Sequence, residues 1–161
     1  MAGHYYTAVV EWACDGDYAA NKYSRGHIWQ FDGGLKIPAS SSPTVVPQPY
    51  SIEAAVDPEE ALVAAISSCH MMSFLDLARR AGYVVASYRD SAKGEMSRIA
   101  RGKMAITKVV LKPEIVLVAD SDPDPSWITD LHEKAHDVCF IANSVKCEIV
   151  VDPEPVRTVA P

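Results

Sequence analysis

Between Asp57 and Gly82 the chain carries a run that is stable only as a long helix inside a larger fold. Asp57 stands at an N-cap position, Pro58 at the first helical residue and Glu60 three residues after Asp57, which together make a capping-box pattern. Arg79 and Arg80 put cations near the negative end of the helix dipole, and Gly82 supplies a left-handed stop. Between these ends the run from Ala61 to Leu75 is uncharged and apolar on nearly every face. A helix of that kind is expected at the centre of a fold. A bilayer span takes about 18 apolar residues or more. This stretch is shorter and contains Ser67, Ser68 and His70, so a buried helix is expected and no membrane partner.

The flanking sequence reads as sheet. His4 to Cys14, rich in Tyr, Val and Trp, is expected as a strand, and Asp15 to Ser24 as a loop. His27-Ile-Trp-Gln-Phe alternates apolar and polar residues and meets Asp32-Gly33-Gly34, a hairpin signal with Leu35 to Pro38 as the return strand. Ala39 to Ser51, with four serines and three prolines, is a long loop. Val84 to Ser97 and Lys103 to Val118 read as strands joined by a turn at Arg101-Gly102. Ser126 to about Phe140 reads as a second helix, with Trp127, Leu131, Ala135 and Val138 as its apolar stripe. Val145 to Val151 is a last strand, and the Pro-containing tail is expected to fray. This order predicts an α+β domain of mostly antiparallel sheet with two principal helices.

No repeat or dividing linker interrupts the 161 residues, so a single domain over 1–161 is expected. Its core needs no disulfide or structural metal. The net charge of −6 argues against a nucleic-acid partner and leaves small-molecule substrates open. The start, Met1-Ala-Gly-His-Tyr-Tyr, lacks a basic segment followed by an apolar one, so a cytoplasmic location is expected. In that compartment the four cysteines are thiols, ligands or catalysts before they are staples. The absence of any Cys-x-x-Cys pair excludes a thioredoxin-type motif and a zinc ribbon.

Cys69 lies mid-helix in Ser67-Ser68-Cys69-His70, and Cys139 near the end of the second helix. Each reads either as core packing or as half of a redox pair, since a buried Cys packs as a small hydrophobe. His70 is adjacent to Cys69 but points about 100° away around the helix, so it is no obvious partner. His132, His136 and Cys139 follow i, i+4, i+7 spacing, a candidate metal half-site with Cys69 as a candidate fourth ligand. Cys14 and Cys147 read as structural. Glu59 and Glu60 are explained by the helix dipole. Glu59 precedes Cys69 by about 15 Å of helix axis, too far for a side chain within one continuous helix. A functional Glu59 therefore needs a distorted helix start or a second subunit. Arg25, where the first loop meets a strand, reads as a solvated charge.

The segment Asp57-Pro-Glu-Glu-Ala-Leu-Val-Ala-Ala-Ile-Ser-Ser-Cys69-His resembles the Asn-Pro-Glu-(Gln/Glu)-Leu…(Ala/Ser)-x-Cys helix of the OsmC/Ohr family of osmotically inducible and organic hydroperoxide resistance proteins. His132-Glu-Lys-Ala-His136-Asp-Val-Cys139-Phe-Ile-Ala-Asn-Ser is similar to that family's His…Cys-Pro-x-Ser segment, and the order of elements agrees over nearly the whole chain. Tyr23-Ser-Arg25-Gly-His-Ile-Trp-Gln-Phe-Asp-Gly-Gly points to an OsmC-like subgroup. The resemblance implies a thiol-dependent peroxidase for organic hydroperoxides that needs no cofactor. Cys69 would be the peroxidatic thiolate and Cys139 the resolving thiol, with an external dithiol as reductant. The family's Arg and Glu map to Arg25 and Glu59, a guanidinium to favour the thiolate and a carboxylate to hold it. The resemblance also implies an intertwined homodimer. The chain departs from the family in having Phe140 in place of Pro, a different loop length before Arg25, and Ser68 and His70 around Cys69. The alternative reading is a non-catalytic dimer that uses the interfacial cavity for an apolar ligand or a metal ion.

Overall fold

The Asp57–Gly82 run is a helix, α1, over Pro58–Arg80 in the computed structural model, which describes residues 3–120 and 123–160. Its start is the expected capping box. Asp57 Oδ1 accepts from the Glu60 N–H at 2.7 Å, and Glu60 Oε2 accepts from the Asp57 N–H at 3.4 Å. At the other end Gly82 has φ +86°. The Gly82 N–H donates to Arg79 O and the Tyr83 N–H to Ala78 O, the paired bonds of a Schellman stop. Asp57→Ala removes the box and is expected to cost about 1 kcal/mol. The measurement is the urea midpoint, which should fall with an unchanged m-value; an unmoved midpoint would show the box to be idle.

Burial corrects one expectation for α1. A single stripe is buried, made of Ile66, Cys69, His70, Phe74 and Ala78. Ala64, Ser68 and Met72, spaced four residues apart, stay exposed. The elements of this chain cover the helix from one side only, so uniform apolarity does not become uniform burial. By length and composition α1 would also suffice to cross a membrane, with a mean hydropathy of 1.5 in its most apolar stretch. Its buried stripe is instead packed into protein cores.

Chain packing divides the molecule into two compact units, Met1–Ala61 and Leu62–Pro161. The first holds an antiparallel sheet in the order β1-β4-β5, with β1 at Ala8–Glu11, β4 at His27–Phe31 and β5 at Lys36–Ala39. The predicted hairpin is present. Its turn closes with the Gly34 N–H on Phe31 O at 2.9 Å, at a Gly34 φ of +82°. The first strand is shorter than expected, since only residues 8–11 find a partner on β4. The expected loop over 15–24 contains a small hairpin, β2 at Gly16–Asp17 and β3 at Lys22–Tyr23, with Asn21 in the left-handed region at φ +59°.

The second unit has two three-stranded sheets. One is β10-β8-β7, with β7 at Lys93–Ala100, β8 at Lys103–Leu111 and β10 at Glu148–Val151. The other is β11-β9-β6, with β6 at Val84–Asp90, β9 at Pro113–Val118 and β11 at Arg157–Val159. The pairs β7/β8 and β6/β9 are antiparallel, while β10 and β11 add in parallel. The two long expected strands are therefore each broken in the middle, after Asp90 and at Lys112. Asp90 marks the break: Oδ1 accepts from the Lys112 N–H at 2.7 Å and Oδ2 accepts from Ser67 Oγ. The tail does not fray, because residues 157–159 pair with β9.

Two apolar cores hold this unit. Phe74, Ala78, Ile115 and Leu117 form one with Leu131 and Ala135 of the second helix, α2, at Pro125–Val138. Ile66, Val109 and Leu111 form the other, with Ile141, Val145 and Cys147 packed against it. The backbone of β7 comes close to α1, since a Cβ placed on Gly94 would lie 2.6 Å from Val63 Cγ2.

Candidate active site

The second helix starts at Pro125, one residue before the expected Ser126, and ends at Val138, two residues before Phe140. Asp124 caps it by accepting from the Ser126 N–H at 2.9 Å, and Pro125 occupies the first turn, where its missing N–H costs nothing. Ile128, Leu131, His132 and Ala135 are its buried residues. Val138, expected in that stripe, is 54% exposed. Its place inside is taken by His132, because the chain turns away immediately after Val138.

Cys139 is consequently outside the helix, with extended dihedrals of φ −69° and ψ 114°. A short 3-10 turn, Ala142–Ser144, follows it. This turn brings two backbone N–H groups to the two thiols. The Ile141 N–H points at Cys69 Sγ at 3.5 Å, and the Ala142 N–H points at Cys139 Sγ at 3.4 Å. Both cysteines are free thiols, and their side chains are within hydrogen-bonding reach of each other. Burial first, and then the hydrogen bond to Cys69, pushes the Cys139 thiol up, against the opposing pull of the Ala142 and Ile141 N–H groups. Cys69 is the more accessible sulfur residue, 9% exposed against 1%. At Cys69 Sγ the printed geometry is that of an acceptor, with the Ile141 N–H aimed at it.

Beside this pair lies a second one that was not expected. His70 Nε2 and His132 Nδ1 are 3.0 Å apart across 62 positions of sequence. Their planes differ by only 7°, with centroids 5.3 Å apart. That geometry is an in-line hydrogen bond between two coplanar rings. Phe74 stacks on His132 at 4.6 Å. Both histidines are buried, and the outer nitrogens, His70 Nδ1 and His132 Nε2, have no protein partner. Burial lowers both to about 4, helped for His70 by nearby His136 and for His132 by His70, with Asp90 acting the other way on His70.

These positions separate the residues of the expected metal half-site. His132 is buried in its pair with His70, although it shares with His136 the groove that Glu133 and Asp137 also line, and Cys139 has left the helix. Among the described residues no three His, Cys, Asp or Glu side chains gather to hold a metal ion. Cys14 is exposed, and Cys147 packs partly against the Ile66 core.

Arg25 and Glu59 both line a cavity of about 460 Å³ in the first unit. Trp12, Tyr18 and Tyr23 wall it, the two tyrosines with ring centroids 4.9 Å apart. Arg25 is not a free surface charge. Its guanidinium sits 3.7 Å over the Tyr23 ring and donates to Tyr23 O and to Asn21 Oδ1. Glu59 makes no ion pair with it; the hairpin, and not the carboxylate, holds the guanidinium in this structure. His27 is fixed as well. Its Nε2 accepts from Trp29 Nε1, so its proton is on Nδ1, which donates to Arg25 O.

The family model of OsmC-like proteins matches residues 51–154, a stretch that contains both buried thiols. The chain belongs to the OsmC-like family. An OsmC-like protein of unknown function from Vibrio cholerae is 47% identical, covers 94% of this chain and 100% of its own, and superposes with a TM-score of 0.91. At the level of fold alone, this OsmC-like chain is also similar to an organic hydroperoxide resistance protein from Elizabethkingia anophelis, 17% identical over 99% of both chains with a TM-score of 0.62. Another such protein, from Legionella pneumophila, is 15% identical over 98% of this chain and 100% of its own, again with a TM-score of 0.62. No curated protein matches the sequence. The α+β fold expected from the element order is the OsmC-like fold.

Proposed function

We propose that this OsmC-like chain is a thiol peroxidase that reduces organic hydroperoxides. The observation that carries the reading is the Cys69–Cys139 pair: two free, buried thiols in mutual reach, each sulfur facing a backbone N–H. The Cys69 thiolate attacks the terminal peroxide oxygen. The O–O bond breaks, the sulfur is oxidised to sulfenic acid, and the alkoxide leaves as an alcohol after taking one proton. The Cys139 thiol then attacks the sulfenic sulfur, a disulfide forms, and water leaves. An external dithiol reduces the disulfide and returns both thiols. Apolar surroundings on α1 favour alkyl peroxides over hydrogen peroxide, by about 25 cal/mol for each Å² of tail buried.

Arg25 and Glu59, which share one cavity, are assigned to the same reaction, Arg25 to hydrogen-bond the peroxide and Glu59 to pair with the guanidinium once peroxide draws it off the hairpin. A homodimer accords with the exposed apolar side chains Val10, Met72 and Phe140, and a cytoplasmic, reducing setting accords with four free thiols. No nucleic acid or membrane enters the scheme.

The test uses fully reduced protein and one equivalent of cumene hydroperoxide, followed by intact mass and peptide mapping. A loss of two hydrogens mapped to Cys69–Cys139 is expected. Thiols that stay unreacted would overturn the reading and favour a non-catalytic binding protein, for which the aromatic cavity around Trp12 would be the place to look for an extracted ligand.

A further inference from the structure

The turn after Cys139 is held by one side chain. Asn143 Nδ2 donates to Asp137 O at 2.9 Å and to Cys139 O at 3.0 Å, while the Asn143 N–H also donates to Cys139 O at 3.0 Å. Ser144 adds a bond from its Oγ to Phe140 O at 2.7 Å. The last carbonyls of a helix have no partners within it. Here the Asn143 amide takes one of them, Asp137 O, and ties it to the carbonyl of the cysteine that ends the helix. The loop 137–143 is closed on itself by that clamp. Its closure fixes where the Ile141 and Ala142 N–H groups point, which is at Cys69 Sγ and Cys139 Sγ. In the OsmC/Ohr pattern a proline follows the second cysteine; here Phe140 stands there and is 81% exposed, so it does not anchor the turn.

We propose that Asn143 is a positioning residue for the thiol site: it sets the turn from which the Ile141 N–H stabilises the Cys69 thiolate. Asn143 touches neither sulfur and acts on Cys69 through the Ile141 N–H. A charged acceptor gains more from an amide donor than a neutral one does. The clamp therefore acts on the reactive form of Cys69 and not only on the fold. The inference rests on the reading of Cys69 as the reactive thiol, yet its test needs no peroxide turnover.

The experiment compares Asn143→Ala with the parent, both carrying Cys139→Ser to remove disulfide exchange. Iodoacetamide labelling of Cys69 is followed by peptide mass from pH 6 to pH 10. The expected result is labelling about tenfold slower at pH 7, which is one pH unit's worth of thiolate, and restored at pH 10. A pH profile identical to the parent's overturns the proposal, even if the melting temperature falls. Should Asn143→Ala fail to give a native circular dichroism spectrum, the unmutated reduced protein provides the second measurement. The Ile141 amide resonance should move as Cys69 ionises, and an Ile141 amide blind to that ionisation overturns the proposal as well. A chain that shows this behaviour but consumes no hydroperoxide would refute the peroxidase reading and leave Asn143's role standing.

Discussion

Cys69→Ser is expected to abolish consumption of organic hydroperoxide, a loss on the order of a thousandfold or more, as for removal of a nucleophile that has no substitute. A serine hydroxyl does not ionise near neutral pH, and its oxygen does not expand to a sulfenic acid. Cys139→Ser is expected to behave differently. Its Cys69 still attacks peroxide, so one equivalent is consumed and the reaction stops with Cys69 as a sulfenic acid, which dimedone traps. The two variants together distinguish the roles. Ferrous–xylenol orange assays of residual cumene hydroperoxide measure the stoichiometry, and peptide mapping locates the adduct. Continued turnover in Cys69→Ser would remove it from the mechanism. A single-equivalent burst in Cys69→Ser with dimedone on Cys139 would reverse the assignment. The structure argues against that reversal, because Cys139 is the more buried sulfur and the one whose proton burial and Cys69 hold in place.

Acidification from pH 7 to pH 5 is expected to destabilise the protein strongly through the His70–His132 pair. Both folded-state values lie at about 4, below the usual 6.5. The unfolded chain therefore binds more protons between those limits, so stability is complete above pH 6.5 and lost as the pH falls toward 4. For one such ring the loss between pH 7 and pH 5 is about 2 kcal/mol. The two rings share one hydrogen bond, so the pair contributes less than twice that. Domains of this size hold only about 5–15 kcal/mol in total. The measurement is urea unfolding at pH 7, 6 and 5, with a His70→Leu/His132→Leu double variant as the reference. The wild-type midpoint should fall with pH more steeply than the variant's. Parallel pH dependences would show that the imidazoles titrate in the native state without penalty. The outward-facing nitrogens without protein partners make the penalty plausible in structural terms, since a charged ring would find neither carboxylate nor carbonyl at either end.

Local signals carried much of the fold. The capping box at Asp57–Glu60, the stop at Gly82 and the Asp32–Gly34 hairpin turn all depend on bonds that span three or four residues, and each formed as read. Features that depend on distant partners were not legible. The breaks after Asp90 and at Lys112 are joined by a carboxylate that accepts from the Lys112 N–H across 22 positions of sequence. The tail strand at 157–159 exists because β9 offers it an edge. On α2, helical spacing placed Val138 inside and left His132 to solvent or metal; the position of α1's Phe74 and His70 reversed that order.

The same division runs through the site. Residue type singled out Cys69 and Cys139 from the sequence by itself, whereas Arg25 and Glu59, which read as a solvated charge and a helix-dipole acid, entered only through the family resemblance. Which atoms surround them is a different kind of information. That Asn21 and Tyr23 hold Arg25, that Asn143 sets the turn, and that Ile141 and Ala142 aim peptide N–H groups at two sulfurs are consequences of backbone direction. Peptide groups are identical at every position in a sequence. Only the tertiary fold makes particular ones into a site.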